Sequence, residues 1–159
     1  MRAYERFLKY VEFDTASDAS CPDCPSTEKQ RTFAEALALE MRKMGITDAL
    51  VDAHGYVYGS IPANVRNRPV IGLIAHMDTV DCVPSAPVKP RIIKNYDGGA
   101  VVLENGELLD PVIFPDIRNA KGKDLIVTDG NTLLGADDKA GVAEILTACE
   151  AILAEPSLQ

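Results

Sequence analysis

Two histidines, His54 and His76, and four cysteines are the whole stock of imidazole and thiol ligands in this chain. Among Cys21, Cys24, Cys82 and Cys149, only Cys21-Pro22-Asp23-Cys24 has metal-ligand spacing. A structural zinc needs a second ligand pair, and none with suitable spacing is present. A thioredoxin-like CxxC opens a helix after a strand, whereas this one follows the polar stretch Asp14-Thr15-Ala16-Ser17-Asp18-Ala19-Ser20. It reads as a pair of loop cysteines. No run of 18 apolar residues exists, which excludes a membrane-spanning helix. The start, Met1-Arg2-Ala3-Tyr4-Glu5-Arg6-Phe7, lacks the apolar region of a secretory signal, so the expected location is the cytoplasm. Neither G-x-x-x-x-G-K nor G-x-G-x-x-G occurs, so there is no phosphate loop. The absence of G-x-S-x-G removes the nucleophile elbow. Basic residues are in short supply: 16 Lys and Arg against 24 Asp and Glu give a formal charge of -8. That balance argues against nucleic acid or an anionic membrane as a partner, since both attract basic surfaces.

What remains is the composition of an ordinary globular domain: 159 residues, 47% hydrophobic and 25% charged. Tyr4, Phe7, Leu8 and Val11 recur at helical spacing and predict a first helix. After a polar loop to Pro25, Ser26 or Thr27 caps a second helix, and Gln30 would complete a capping box with Thr27. Its stripe is Phe33, Leu37, Met41 and Met44, and Gly45 ends it. Residues 48–63 read as a hairpin turning at Ala53-His54-Gly55, where His54 is expected to be merely exposed. Val70-Ile71-Gly72-Leu73-Ile74-Ala75 is a continuous apolar run that suits a central strand buried on both faces. A second hairpin is expected over residues 100–109, turning at Asn105-Gly106. A strand-turn-strand unit is expected from Leu125–Thr128 through Asp129-Gly130-Asn131 to Thr132–Leu134. The last helix starts near Asp138–Gly141, with Val142, Ile145, Leu146, Cys149, Ile152 and Leu153 on one face, and Pro156 stops it. This order means an α/β fold.

The chemistry concentrates in two acidic motifs, His76-Met77-Asp78-Thr79 and Gly135-Ala136-Asp137-Asp138-Lys139-Ala140-Gly141. Each follows an apolar run, at a strand end where open α/β sheets build sites. If the strand persists to Asp78, His76 and Asp78 point to one face. Both then ligate a metal, or His76 ligates while Asp78 holds its other ring nitrogen. The bland reading is a histidine satisfied by a nearby carboxylate. Asp137 and Asp138 repel each other unless something offsets their charge. Helix capping occupies one of them, Asp138 by position. Asp137 is left for a cation or for Lys139. Glu28, Glu40, Glu144 and Glu150 read as solvated helix residues.

Two strings, Ile71 to Thr79 and Val127 to Gly141, closely resemble the peptidase T family. These are the tripeptide aminopeptidases of a wider zinc metallopeptidase family that also holds dipeptidases and aminoacylases. Pro25-Ser26-Thr27-Glu28, Asn95-Tyr96-Asp97-Gly98-Gly99 and Pro111-Val112-Ile113-Phe114-Pro115 share the resemblance, as does the long insertion between the two motifs. It implies a three-layer α-β-α catalytic domain with a mixed, mostly parallel sheet. Residues 1–159 are then the N-terminal part of that domain, and 81–131 a hairpin-rich insertion. It implies that His76 ligates zinc, that Asp78 orients it as a catalytic residue, and that Asp137 bridges two zinc ions. The bond after that aspartate is typically cis in the family. Two such ions would activate a water on a short peptide substrate, and zinc brings the pKa of bound water to about 7.

The same resemblance places a general-base glutamate, further metal ligands and a dimerisation domain after the last helix, where this chain has nothing. His76 and Asp137 alone do not make the four ligands of a closed zinc site. The expected result is a fold incomplete at its C-terminus, inactive by itself. It would associate as a homo-oligomer or represent a piece of a longer enzyme. The rival readings are a non-catalytic oligomerising or metal-binding module, and a dipeptidase or acyl-amino-acid hydrolase of the same family.

Overall fold

In the computed structural model, residues 1–155 and Ser157 are described. The expected helix stop at Pro156 therefore lies outside the described residues. The chain divides into two units, one formed by residues 1–81 with residues from Gly135 onward, the other by Cys82–Leu134.

The first unit is built on three helices: α1 (Ala3–Tyr10), α2 (Glu28–Met44) and α3 (Ala136–Ala154). α1 starts where Glu5 accepts the Arg2 amide at 3.0 Å, satisfying a donor that has no partner within the helix. α2 starts as its capping box predicts, with the Gln30 side chain accepting the Thr27 amide at 3.3 Å. It ends at Gly45, whose φ of 107° only glycine adopts freely. Phe33, Leu37 and Met41 are buried along it. Phe33 is the aromatic centre, with ring centroids 5.3 Å from Tyr10 and 4.9 Å from Phe13.

Arg6 locks the helices together and is only 1% exposed. Its guanidinium donates to Glu40 at 2.8 Å, to Thr147 at 2.6 Å and to Glu150 at 3.2 Å. This corrects the reading of Glu40 and Glu150 as solvated residues. A buried guanidinium requires such partners, and its fork of five donors can reach both helices. The short strands β1 (Leu50–Val51) and β2 (Val57–Tyr58) pair antiparallel, as expected of a hairpin. Asp52 accepts the amides of His54 and Tyr56 in the turn, and His54 is exposed there.

The buried central strand expected at Val70–Ala75 does not form. The segment has no regular secondary structure, with Val70 98% and Ile74 94% exposed. A strand exists only through its neighbours' hydrogen bonds, and the one β contact nearby is an isolated parallel bridge from Ala16 to Thr79. Among the described residues, the mixed, mostly parallel sheet is replaced by three two-stranded antiparallel pairs. The observed fold class is α/β with small sheets. α3 buries Lys139, Ala143 and Leu146. The remaining apolar residues of its predicted stripe, Val142, Ile145, Cys149, Ile152 and Leu153, are only half-buried.

In the second unit, β3 (Arg91–Ile93) pairs antiparallel with β6 (Leu125–Val127), and β4 (Val101–Val102) with β5 (Leu108–Leu109). The latter is the Asn105-Gly106 hairpin predicted from sequence. β6 pairs with β3 instead of folding back on Thr132–Leu134. The reason lies in the turn: Thr128 Oγ1 and Asp129 Oδ1 accept the amides of Gly130 and Asn131, and the Leu133 amide goes to the Pro84 carbonyl. A core of Tyr96, Val101, Leu103 and Val127 closes this unit, with Ile117 of the short 3-10 helix Pro115–Ala120 packed against it.

Candidate functional site

His76 lies between two carboxylates. Its Nδ1 is 3.1 Å from Asp78 Oδ1, and its Nε2 is 3.0 Å from Asp137 Oδ1. All three residues belong to the first unit. His76 and Asp78 come from the segment without regular secondary structure that ends in the Thr79 bridge. Asp137 comes from the start of α3, where Asp137 and Asp138 keep non-helical dihedrals and the bond between them is cis.

The acidic pair divides its labour. Asp138 Oδ1 accepts the Gly141 amide at 3.1 Å, the side-chain-to-backbone bond of a helix cap. Gly141 suits that place, because a Cβ there would come 2.4 Å from the same oxygen. Asp137 makes no such bond and its side chain is 94% exposed. Its carboxylate faces His76. Lys139 does not neutralise it: the amine is buried and donates to the Phe13 carbonyl at 2.7 Å. Burial pushes the Lys139 pKa down to about 8, while the Asp14 carboxylate pulls it upward.

The His76 pKa is raised above its ordinary value. Burial acts to lower it, but the hydrogen bond to Asp137 and the negative charges of Asp78 and Asp137 together outweigh burial. Two carboxylates flanking one imidazole are a cation-seeking arrangement. A carboxylate accepts at each ring nitrogen, so the protonated imidazole donates from Nδ1 to Asp78 and from Nε2 to Asp137, and His with Asp is the donor set of hydrolytic zinc centres. The two donors match a metal in type and aim, yet they are two of the four that a closed site needs. Among the described residues no group of three or more His, Cys, Asp or Glu gathers where a metal could be held.

The cysteine pair stays apart from this site. Cys21 and Cys24 carry free thiols, with Cys24 Sγ against the His54 carbonyl at 3.6 Å. Sequence reasoning missed the residues that support the site. Thr15 and Thr79 are buried, the Thr79 amide donates to the Thr15 carbonyl at 3.1 Å, and Ser17 donates to the Thr79 carbonyl from both its amide and its hydroxyl. The only sequence signal was the position of Thr79 directly after Asp78.

No family model matches the chain. It is 51% identical over 156 residues to peptidase T from Aliivibrio salmonicida and 52% identical over 155 residues to peptidase T from Aeromonas hydrophila. Peptidase T from Caldanaerobacter subterraneus is 48% identical over 161 residues. These alignments cover 97% to 99% of this chain and 38% to 39% of each relative. The chain thus spans well under half the length of the curated relatives it matches, and corresponds to an N-terminal portion of them.

Proposed function

We propose, from the homology to an N-terminal portion of peptidase T, that this chain carries the His76–Asp78–Asp137 part of a zinc-dependent aminopeptidase centre. The reaction would release the N-terminal residue of tripeptides. The observation that carries this reading is the convergence of His76 Nε2 and Asp137 Oδ1 at 3.0 Å, with Asp78 on the opposite ring nitrogen. His76 and Asp137 would hold zinc, with Asp137 shared between two ions. Asp78 would keep the imidazole in the Nδ1–H tautomer, raise its basicity and aim Nε2. Zinc, when bound, would supply Lewis acidity and a nucleophile from water near neutral pH. The remaining ligands, the proton-accepting glutamate and the grip on substrate would come from polypeptide beyond these residues. The three-layer α-β-α arrangement would be completed by the same polypeptide, and a cytoplasmic location suits short peptides as substrates. Among the described residues, no helix is long and apolar enough to cross a membrane.

The test is a chimera in which this chain replaces the corresponding N-terminal residues of the Aeromonas hydrophila peptidase T. The chimera should hydrolyse tripeptides. H76A and D137A should abolish measurable turnover, and D78A should lower it about 10–100-fold. The 159-residue chain alone, supplied with zinc, should show negligible turnover. A chimera that stays fully active with H76A and D137A would refute the assignment, and strong zinc-dependent turnover by the chain alone would refute its dependence on further polypeptide.

A further inference from the structure

Lys139 is an expensive residue for its position. It is 1% exposed, in the first regular turn of α3, where the helix dipole disfavours a cation. Burying an ammonium costs far more than burying an apolar side chain of that size. Its amine donates to the Phe13 carbonyl at 2.7 Å and lies 5.7 Å from the centroid of the Phe33 ring. A methionine would fill the same space without the desolvation cost, so the bond to Phe13 is what the lysine specifically adds.

That bond ends on a segment tied to the other half of the site. Two residues beyond Phe13, the Thr15 carbonyl accepts the Thr79 amide at 3.1 Å. The Ser17 amide and hydroxyl donate to the Thr79 carbonyl at 2.9 Å and 3.0 Å. Thr27, at the start of α2, donates its hydroxyl to the Ala16 carbonyl at 2.8 Å and holds the segment from behind. Gly135 closes the circuit, because a Cβ at that position would lie 3.4 Å from Thr79 Cγ2 and 3.7 Å from Lys139 Nζ. Thr79 follows Asp78 directly, and Lys139 lies two residues after Asp137.

We infer that Lys139 is a positioning residue which, through the Phe13–Ser17 segment, brackets the His76–Asp78 segment to the Asp137 turn and sets the His76–Asp137 approach. The inference deepens the metal-centre reading and rests on it only for its effect on metal affinity. It accounts for a contact between two exposed side chains, His76 and Asp137, that have little packing of their own to hold them.

The experiment is NMR of the 159-residue chain in the wild type, K139M, K139R and L146A. In the wild type, the Lys139 amine protons should exchange slowly and show cross-peaks to Phe13. K139M should lose the cross-peaks between the His76 ring and the Asp137 Hβ protons while keeping those between Tyr10 and Phe33, and K139R should restore them. L146A, which removes buried core from the same helix, should lower Tm while leaving the His76–Asp137 cross-peaks in place. Zinc binding followed on the His76 ring should weaken about 10–100-fold in K139M, the size of effect expected for an outer partner of a ligand. Fast exchange of the wild-type amine overturns the inference even if K139M fails to fold. Unchanged His76–Asp137 cross-peaks in a folded K139M overturn it as well. A wild type whose cross-peaks follow this pattern but whose His76 ignores zinc would sink the metal-centre reading and leave the bracket standing.

Discussion

His76 Nε2 approaches Asp137 Oδ1 to 3.0 Å across 61 residues of sequence. Neither side chain is buried enough for packing to explain the approach. The neighbouring Asp138, by contrast, is engaged with the Gly141 amide at 3.1 Å. Adjacent aspartates thus have separate tasks, one capping the start of a helix and the other facing an imidazole.

That division predicts unequal stability effects. D138A should destabilise the chain by about 1 kcal/mol, the usual cost of losing a helix cap. D137A should change stability by less than about 0.5 kcal/mol, as for a surface substitution. Urea unfolding of the two variants under zinc-free conditions checks this, and equal losses would contradict it.

Arg6 is the largest single polar commitment of the first unit. R6M keeps much of the volume but removes the bonds to Glu40, Thr147 and Glu150. Both carboxylates are partly exposed and can regain water, which tempers the penalty. The expected loss is about 2–3 kcal/mol, that of charged hydrogen bonds broken at one end. A change in the urea midpoint equivalent to under about 0.5 kcal/mol would show that the clasp contributes nothing beyond a surface substitution.

Asp129 gives the second unit an acid limit. The Asn131 amide, then the Asn131 side chain and Lys89, hold its carboxyl below the ordinary value. A depressed folded pKa means that the stabilisation is fully present above the unfolded value of about 3.9 and is lost as pH falls through the folded one. D129N keeps an acceptor oxygen but no charge. The wild type should therefore lose more stability than D129N as pH falls below about 4. Amide spectra of Tyr96 and Val101 followed against pH would show it, and superimposable acid profiles would rule it out.

The legible parts of this fold were the local ones. Thr27, Gln30 and Gly45 bounded α2 because caps act within a few residues. Asn105-Gly106 marked its hairpin for the same reason. His76, Asp78 and Asp137 were singled out by residue type and spacing, and the structure brings them together. What could not be read was pairing at a distance. The Val70–Ala75 run looks like a buried strand, but an apolar run does not contain the neighbours that would bury it. The β6 to β3 pairing and the Arg6 bonds to Glu40 and Glu150 likewise join residues far apart in sequence. In sequence Lys139 stands as a candidate partner for Asp137, and only the fold shows its amine turned inward to Phe13.

The most direct test of the account is a zinc titration of the 159-residue chain, followed on the ring resonances of both histidines in the wild type and in D137N. The account predicts that zinc perturbs His76 and not His54, and that D137N requires several-fold more zinc for the same response. A response centred on His54 and the Cys21–Cys24 loop, or one identical in wild type and D137N, would contradict the assignment of His76 and Asp137 as a shared pair of metal donors.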